Sequence, residues 1–293
     1  MAFPPPNSLA WSPSVFTFLT PYLPPLPSPS PAREDGLISK TSTTPQKPFV
    51  TLTYASSLDS MLALQPGVQT ILSGPETKAL THFLRSKHDA ILVGVGTVLA
   101  DDPGLNCRLA GAGGYGGELS EPSEPGELKW QPRPLVLDPR GRWAVGAESK
   151  ILRLAREGRA LAPWVLTDLA FVDDERAELL EGCGGKIIPL ASEEEGRFEW
   201  EDILQVLSSH GLQSVMVEGG AGVINGLLSA EQQALVDAVI VTIAPTWLGQ
   251  GGVVVAPERR VDGKGSAVNA ASLDKVKWQQ MGEDVVVCGV LKK

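Results

Sequence analysis

The chain has 293 residues, of which 43% are hydrophobic and 20% are charged, so it can bury a sizeable core as one large or two smaller domains. Its formal net charge of −9 argues against a nucleic-acid surface, because phosphate backbones need clustered cations and the 25 lysines and arginines are scattered. No apolar run approaches the roughly 20 residues that span a bilayer. The composition predicts a globular protein that binds neither nucleic acid nor membrane.

The cysteine and histidine spacing and the amino-terminal residues predict where the protein is located and whether it binds a metal. The three cysteines form no CxxC pair, and the three histidines lack the spacing of metal ligands, so we expect no disulfide framework and no metal site. Cys107 lies beside the ligand site predicted below, where its thiol could be alkylated. The first cation is Arg33, which argues against a transit peptide. We expect a cytoplasmic protein, with a nuclear location as the alternative.

The segment 1–47 is rich in proline, since twelve of the 24 prolines fall within the first 48 residues. We find in it neither a helical nor an alternating apolar period that could drive packing, so it is predicted to be a disordered arm. Proline-rich arms can bind partner domains, but they are also common in tails without a partner.

Residues 48–293 are predicted to form one folded domain. Ser73 and Glu76 are predicted to start a helix as a cap serine and its glutamate partner, with Arg85 at the helix's end. Helical patterns alternate with short apolar runs, which are residues 49–54, 88–93, 135–137, 164–166, 186–188, 214–217, 238–241 and 284–290. This alternation predicts an α/β fold with a central, mostly parallel sheet flanked by helices. Residues 111–128 interrupt it with glycine, proline and glutamate and are predicted to be a surface insertion.

Residues 94–108 directly follow an apolar strand and combine a glycine turn, a hydroxyl, paired acids and an arginine. Ligands of open α/β sheets bind at the carboxyl ends of the strands, where this segment is expected to lie. Thr97 can donate to a phosphate or a ribose, and Asp101 can accept from ribose hydroxyls. Arg85 and Arg108 offer planar guanidinium groups for a phosphate. The alternative is that Thr97 and Asp101 only cap helices.

A second motif spans residues 214–222, where an apolar strand ends in Glu218 and three glycines before a helical pattern begins. Glycines let backbone N–H groups approach a phosphate, and the start of a helix favours negative charge. An acidic chain can bind an anion in this way. The alternative is a tight turn without a ligand, but such a turn does not need Glu218, which can accept hydrogen bonds from a polar ligand.

Four segments resemble, in order, the motifs of the riboflavin-pathway reductases, and the resemblance covers about residues 48–292. These segments are 49–60, 74–108, 215–228 and 235–252. The zinc-deaminase signature of the bifunctional bacterial relatives has no counterpart, so only reductase activity is implied. The resemblance implies a dihydrofolate-reductase-like fold, a homodimer, and NADPH-dependent reduction of the ribosyl side chain of a phosphorylated pyrimidine to ribityl, with NADH as an alternative cofactor.

The resemblance also implies site residues. The implied cofactor contacts are Ser56, Thr97, Asp101, Thr167, Glu218, Gly219, Gly220, Ala221 and Gly222. The implied substrate contacts are Arg85, Leu105, Arg108 and Glu218. Glu218 is the candidate catalytic residue, either holding or protonating the substrate. Two positions depart from the family: Ser60 stands where many relatives have glycine, and Ile71 replaces a tryptophan of bacterial relatives.

Two other functions remain open from the sequence. A dihydrofolate-type reductase would share the fold and the cofactor but has no use for two phosphate-facing arginines. A nucleotide sensor or scaffold with a proline-rich arm would bind the cofactor without turnover and would depend on residues 1–47. The sequence places no arginine against a 2′-phosphate, so NADPH and NADH are not distinguished.

Overall fold

In the computed structural model of the chain, the structure describes residues 9, 13–25, 47–115, 128–192 and 196–292. The helices are α1 (Pro75–Arg85), α2 (Val95–Asp101), α3 (Lys150–Arg156), α4 (Asp174–Glu181), α5 (Trp200–Ser209) and α6 (Ala221–Leu227), with short 3₁₀ helices at Pro13–Tyr22, Leu169–Phe171 and Gln233–Leu235. The strands are β1 (Phe49–Ser56), β2 (Met61–Ala63), β3 (Ala90–Gly94), β4 (Arg133–Leu137), β5 (Trp164–Thr167), β6 (Lys186–Pro189), β7 (Ser214–Gly219), β8 (Ala238–Ile243), β9 (Val253–Val254), β10 (Arg260–Val261), β11 (Ala267–Val268), β12 (Leu273–Met281) and β13 (Asp284–Leu291).

The main sheet of the described residues has nine strands in the order β12-β13-β8-β1-β7-β3-β4-β5-β6. Strands β8 to β6 are parallel, whereas β13 pairs antiparallel with β8 and with β12. The predicted α/β class with a mostly parallel sheet is therefore confirmed. The chain begins this sheet at β1, continues through β3 to β6, and returns to insert β7 between β1 and β3. The carboxyl ends of these three central strands meet where the strand order reverses, which is where open α/β sheets bind ligands.

Helices cover both faces of the sheet, which is why its parallel strands are almost continuously apolar. On one face, α5 and α6 pack against Leu52, Leu92 and Val217. On the other face, α1 packs over Ile240, and α2, α3 and α4 pack over Val136. None of the helices in the described ranges is long and apolar enough to cross a membrane.

Part of the amino-terminal segment is packed rather than disordered. Within it, Pro13–Tyr22 forms a 3₁₀ helix that buries Phe16, Leu19 and Tyr22 against the face that carries α1. These side chains are three residues apart, and a 3₁₀ helix has three residues per turn, so all three lie on one side. The prediction of a disordered arm is wrong for this stretch, and residues 1–8, 10–12 and 26–46 lie outside the described residues.

The insertion expected at residues 111–128 also differs where it is described. Ala112 and Tyr115 are buried, and the Tyr115 hydroxyl accepts a hydrogen bond of 2.7 Å from Asn106 Nδ2. The start of this segment therefore belongs to the core, because the tyrosine ring supplies apolar area and its hydroxyl has a buried partner. Residues 116–127 lie outside the described residues.

Helix α1 begins one residue later than predicted, with Gly74 rather than Ser73 at its N-cap. The capping acceptor comes from a distant strand, since Asp284 Oδ2 accepts from the Gly74 N–H at 2.8 Å and from the Thr77 hydroxyl. A carboxylate at this end satisfies amides that have no partner within the helix. The capping prediction failed because it considered only neighbours in sequence.

His88 is buried behind β1 and hydrogen-bonded at both ring nitrogens. Its Nδ1 lies 2.7 Å from the Leu84 carbonyl oxygen, and its Nε2 lies 2.8 Å from Thr51 Oγ1. A neutral imidazole fits both partners, with Nδ1 donating and Nε2 accepting. Burial lowers the pKa of His88 from 6.5 to about 4.

We expect this depressed pKa to make the fold sensitive to acid. Between about pH 6.5 and pH 4 the unfolded chain binds a proton at His88 that the folded chain does not, so the unfolding free energy falls with falling pH, by up to about 1.4 kcal/mol per pH unit. Urea denaturation at several pH values should show a shallower pH dependence for His88→Gln. His210→Gln removes an exposed imidazole and is the matched control. An unchanged slope in His88→Gln would contradict the assignment.

Candidate active site

A large cleft opens at the carboxyl ends of the central strands. Its volume is about 2150 Å³, well above the roughly 300 to 1,000 Å³ of a pocket for one small ligand, so it can hold two. Ten of its lining residues are lysine or arginine and five are aspartate or glutamate. The chain is acidic as a whole, but this cleft is locally basic and suits phosphorylated ligands.

Arg85 and Glu218 form a paired salt bridge in the cleft. Arg85 Nε donates to Glu218 Oε1 at 2.7 Å and Nη2 donates to Oε2 at 2.6 Å, while Nη1 donates to the Asn106 carbonyl oxygen at 3.0 Å. The two side chains are only 13% and 16% exposed. Burial opposes the charge on Arg85, but the carboxylate of Glu218 and its hydrogen bonds raise the pKa of Arg85 above its ordinary value. The sequence predicted both residues but not their pairing.

This pairing changes the role expected of Glu218. Both of its carboxylate oxygens accept hydrogen bonds from Arg85, and an ionised carboxylate has no proton to donate. The structure therefore favours a carboxylate that holds Arg85 over one that donates a proton. It also leaves less of the Arg85 guanidinium for a phosphate than the sequence suggested.

His82 lines the cleft, although the sequence predicted it to be a structural histidine. Its Nδ1 accepts from the Arg108 backbone N–H at 3.1 Å, while its Nε2 lies 3.2 Å from Arg108 Nε. Burial and the charges of Arg85 and Arg108 lower the pKa of His82 to about 2, so the ring is neutral. A neutral imidazole accepts only one hydrogen bond, so it cannot satisfy both Arg108 groups.

Arg108 lies in an electrostatic environment that favours an anion. Burial and the nearby charge of Arg85 lower the pKa of Arg108, and Arg159, another cleft residue, adds to the repulsion. Glu218 offsets Arg85, but His82 is neutral and offsets nothing. A bound phosphate would compensate this excess charge. The prediction that Arg108 faces a phosphate stays a prediction with this support, and Arg159 was missed because no motif surrounds it.

The glycine loop after β7 forms another wall of the cleft. The Gly220 N–H donates to Thr97 Oγ1 at 3.0 Å, which joins the two predicted motifs. Gly219 has φ +118°, and a Cβ there would lie 2.9 Å from Ile224 Cδ1, while a Cβ on Gly220 would lie 3.2 Å from Thr97 Oγ1. Gly219 therefore needs the freedom of glycine but does not itself line the cleft, whereas Gly220 and Gly222 present bare backbone to it. Helix α6 has only seven residues, so its dipole adds little.

The remaining predicted residues divide into two groups. Asp101 and Leu105 line the cleft with the loop residues Ala221 and Gly222, and partial burial raises the pKa of Asp101. Ser56 and Thr167 are buried and do not line it. The Thr167 hydroxyl donates to the Asp138 carbonyl oxygen at 2.8 Å. The structure does not bring these two residues to the cleft lining, because both are buried at the ends of interior strands.

Three smaller expectations can be compared with the structure. Cys107 is fully buried and burial raises its pKa to about 11, so the expected sensitivity to alkylation is wrong. Ser60 has φ +61°, a conformation that explains why glycine suits this position in relatives. Ile71 is 86% exposed and lies at the cleft, where a larger side chain would have room.

Comparison with known proteins gives consistent matches. The family model described as the RibD C-terminal domain matches residues 48–287. The 2,5-diamino-6-ribosylamino-4(3H)-pyrimidinone 5′-phosphate reductase of Debaryomyces hansenii is 41% identical over 272 residues, covering 92% of this chain and 98% of its own length. The enzyme of the same name from Eremothecium gossypii is 43% identical over 245 residues, covering 83% and 88%.

A solved structure agrees with these relatives. The riboflavin biosynthesis reductase Rib7 of Saccharomyces cerevisiae matches with a TM-score of 0.69 and 31% identity, covering 95% of this chain and 100% of that one. The family match spans most of the chain and includes both motifs of the cleft. This chain belongs to the RibD C-terminal domain family.

Proposed function

We propose that this protein is a reductase that uses NADPH to convert the ribosyl side chain of 2,5-diamino-6-(5-phosphoribosylamino)pyrimidin-4(3H)-one to ribityl, an early step of riboflavin biosynthesis. The observation that carries the proposal is the cluster of Arg85, Arg108 and Glu218 in a basic cleft large enough for two ligands. The names of the fungal relatives support the same reaction.

The cleft fits a reduced nicotinamide dinucleotide. Gly220 and Gly222 bring bare backbone to the cleft, as close approach to a pyrophosphate requires. Thr97 and Asp101 border this loop and can bind ribose hydroxyls. When bound, the nicotinamide supplies a hydride.

The side chains of the protein position the substrate and take no part in electron transfer. Arg108, beside neutral His82, binds the substrate phosphate, and Glu218 accepts hydrogen bonds from the substrate while it holds Arg85. The first carbon of the ribosyl group accepts the hydride once the sugar ring has opened to an imine, and the imine nitrogen takes up a proton from water. Orientation of the two ligands is the main catalytic contribution of this site.

The reaction is tested by mixing the purified protein with NADPH and freshly generated substrate and following the loss of the near-ultraviolet absorbance of NADPH. Dihydrofolate is run in parallel. We expect oxidation only with the ribosylaminopyrimidine phosphate. Activity only with dihydrofolate would assign a different reductase, and tight NADPH binding without turnover on either substrate would support a sensor.

NADPH is proposed as the preferred cofactor because cations line the cleft and one of them is near Asp101, the proposed ribose contact. Lys150 lies close enough to Asp101 to affect its titration, and Arg142 and Arg153 also line the cleft. We expect Arg153→Ala to raise the KM for NADPH about tenfold, since one charged hydrogen bond contributes about 1.5 kcal/mol or more, and to leave the KM for NADH unchanged.

Steady-state kinetics with both cofactors test this preference. Arg156→Ala is the matched control, because Arg156 lies on the same helix, binds the Ala147 carbonyl oxygen and does not line the cleft. Equal changes in the KM for NADPH and for NADH would contradict a contact to the 2′-phosphate.

We also propose a homodimer in the cytoplasm. Strand β12 is an open edge of the sheet, with Val276 40% exposed and Trp278 64% exposed. An open strand edge that also exposes apolar side chains can pair with another chain, and a second copy would cover this one. Light scattering should show a dimer that Trp278→Asp weakens, and a monomeric wild type would contradict it. The three free cysteines favour a reducing compartment.

A further inference from the structure

The amino-terminal segment contacts the loop that carries Arg108. The Leu9 N–H donates to the Arg108 carbonyl oxygen at 2.8 Å, and the Leu9 carbonyl oxygen accepts from the Ala110 N–H at 3.0 Å. These bonds form a parallel bridge between Leu9 and Leu109, which is fully buried. A residue far outside the family match at 48–287 therefore holds the backbone of a proposed substrate residue.

This contact matters because it fixes the backbone on both sides of Leu109, next to Arg108. Between α2 and β4, the described residues 102–115 contain no helix or strand, and the bridge to Leu9 is their one regular pairing. The Arg108 N–H is bonded to His82 Nδ1, and the Arg108 carbonyl oxygen is bonded to Leu9. Both backbone polar groups of Arg108 are therefore fixed by other parts of the chain, one of them the amino-terminal segment.

The same segment also packs against the helix that carries His82 and Arg85. The Phe16 ring stacks on the Phe83 ring with centroids 4.7 Å apart and an interplanar angle of 27°. Phe16 and Leu19 belong to the same apolar cluster as Phe83, and both are almost completely buried. The segment thus contacts both α1, which carries Arg85, and the loop that carries Arg108.

We propose that Leu9 and Pro13–Tyr22 act as a strap that positions Arg108 against α1 for binding the substrate phosphate. None of the described residues before Pro48 lines the cleft, so the strap contains positioning residues rather than catalytic ones. The proposal rests on the proposed function for the identity of the substrate. A misplaced guanidinium weakens a paired phosphate contact, whereas the glycine loop follows β7 and belongs to a different part of the chain from α1 and the Arg108 loop.

Leu9→Pro tests the strap, because proline removes the N–H that bonds to Arg108, and Leu9→Ala is the matched control that keeps it. We expect Leu9→Pro to raise the KM for the phosphorylated substrate about tenfold while the KM for NADPH stays within about twofold, and Leu9→Ala to have the smaller effect. Phe16→Ala should shift the same KM by loosening α1. Circular dichroism verifies that each variant is folded.

A second readout separates this proposal from the proposed function. Calorimetry with ribose 5-phosphate measures the phosphate subsite directly, and its Kd should rise in Leu9→Pro even if the wild type reduces neither substrate. Equal changes in both KM values, or a fall in melting temperature with unchanged KM and unchanged ribose 5-phosphate affinity, would show that the segment only stabilises the fold and would overturn the strap.

Discussion

Replacing Glu218 with glutamine is expected to lower kcat by about 100-fold while the Kd for NADPH stays within about threefold of the wild type. Glutamine keeps the shape but accepts only one of the two hydrogen bonds from Arg85, and it leaves that guanidinium without its counter-charge. Because both side chains are largely buried, we also expect a loss of about 2 to 3 kcal/mol of unfolding free energy.

Stopped-flow kinetics and NADPH fluorescence titration measure these two effects separately. Glu201→Gln makes the same change on the exposed side of α5 and should leave kcat, Kd and stability unchanged. An unchanged kcat in Glu218→Gln would remove the residue from the catalytic role. An equal loss of turnover and NADPH affinity would place Glu218 at the cofactor rather than at the substrate.

Gly219→Ala is expected to weaken NADPH binding by about 100-fold, which corresponds to the loss of about two charge-assisted hydrogen bonds to the pyrophosphate. The added Cβ would lie 2.9 Å from Ile224 Cδ1, and φ of +118° is unfavourable for alanine. Relief of the Ile224 contact or of the backbone strain would shift the loop whose Gly220 and Gly222 line the cleft. The free energy of unfolding should fall by about 1 to 3 kcal/mol.

Gly211→Ala is the control that separates backbone strain from a binding effect. Gly211 has φ +79°, follows α5 and has no neighbouring atom within 4 Å of the place where a Cβ would lie, so alanine there costs stability without touching the cleft. Fluorescence titration should give a wild-type Kd for this variant. Similar losses of NADPH affinity in both variants would attribute the effect to general destabilisation and contradict a pyrophosphate contact of the glycine loop.

The sequence was sufficient for the elements whose burial follows a local pattern. The apolar runs that became β1, β3 and β7 are buried on both sides, and glycines mark the carboxyl ends of β3 and β7. Strand β12 was missed because it is polar and exposed, and its position depends on hydrogen bonds to β13. The packed 3₁₀ helix was missed because the high proline content of the segment was taken as a sign of disorder, although Phe16, Leu19 and Tyr22 are spaced three residues apart.

In the candidate site too, the sequence predicted single residues but not the contacts between residues that are distant in the chain. Thr97 and Arg108 were predicted from the segment 94–108, Glu218 from the segment 214–222, and Arg85 from the end of a predicted helix. The pairing of Arg85 with Glu218 joins residues 133 positions apart, and no local pattern indicates it. His82 was treated as structural because an isolated histidine carries no spacing signal, although its position three residues before Arg85 on one helix face would have placed it beside the site.

The central claim is that hydride reaches the sugar of the substrate, and isotope transfer tests it most directly. The protein is incubated with the ribosylaminopyrimidine phosphate and NADPH deuterated at both C4 positions, and the product is analysed by mass spectrometry. We predict one deuterium at the first carbon of a ribityl side chain. An unlabelled product, or deuterium located on the pyrimidine ring, would contradict reduction of the ribosyl group.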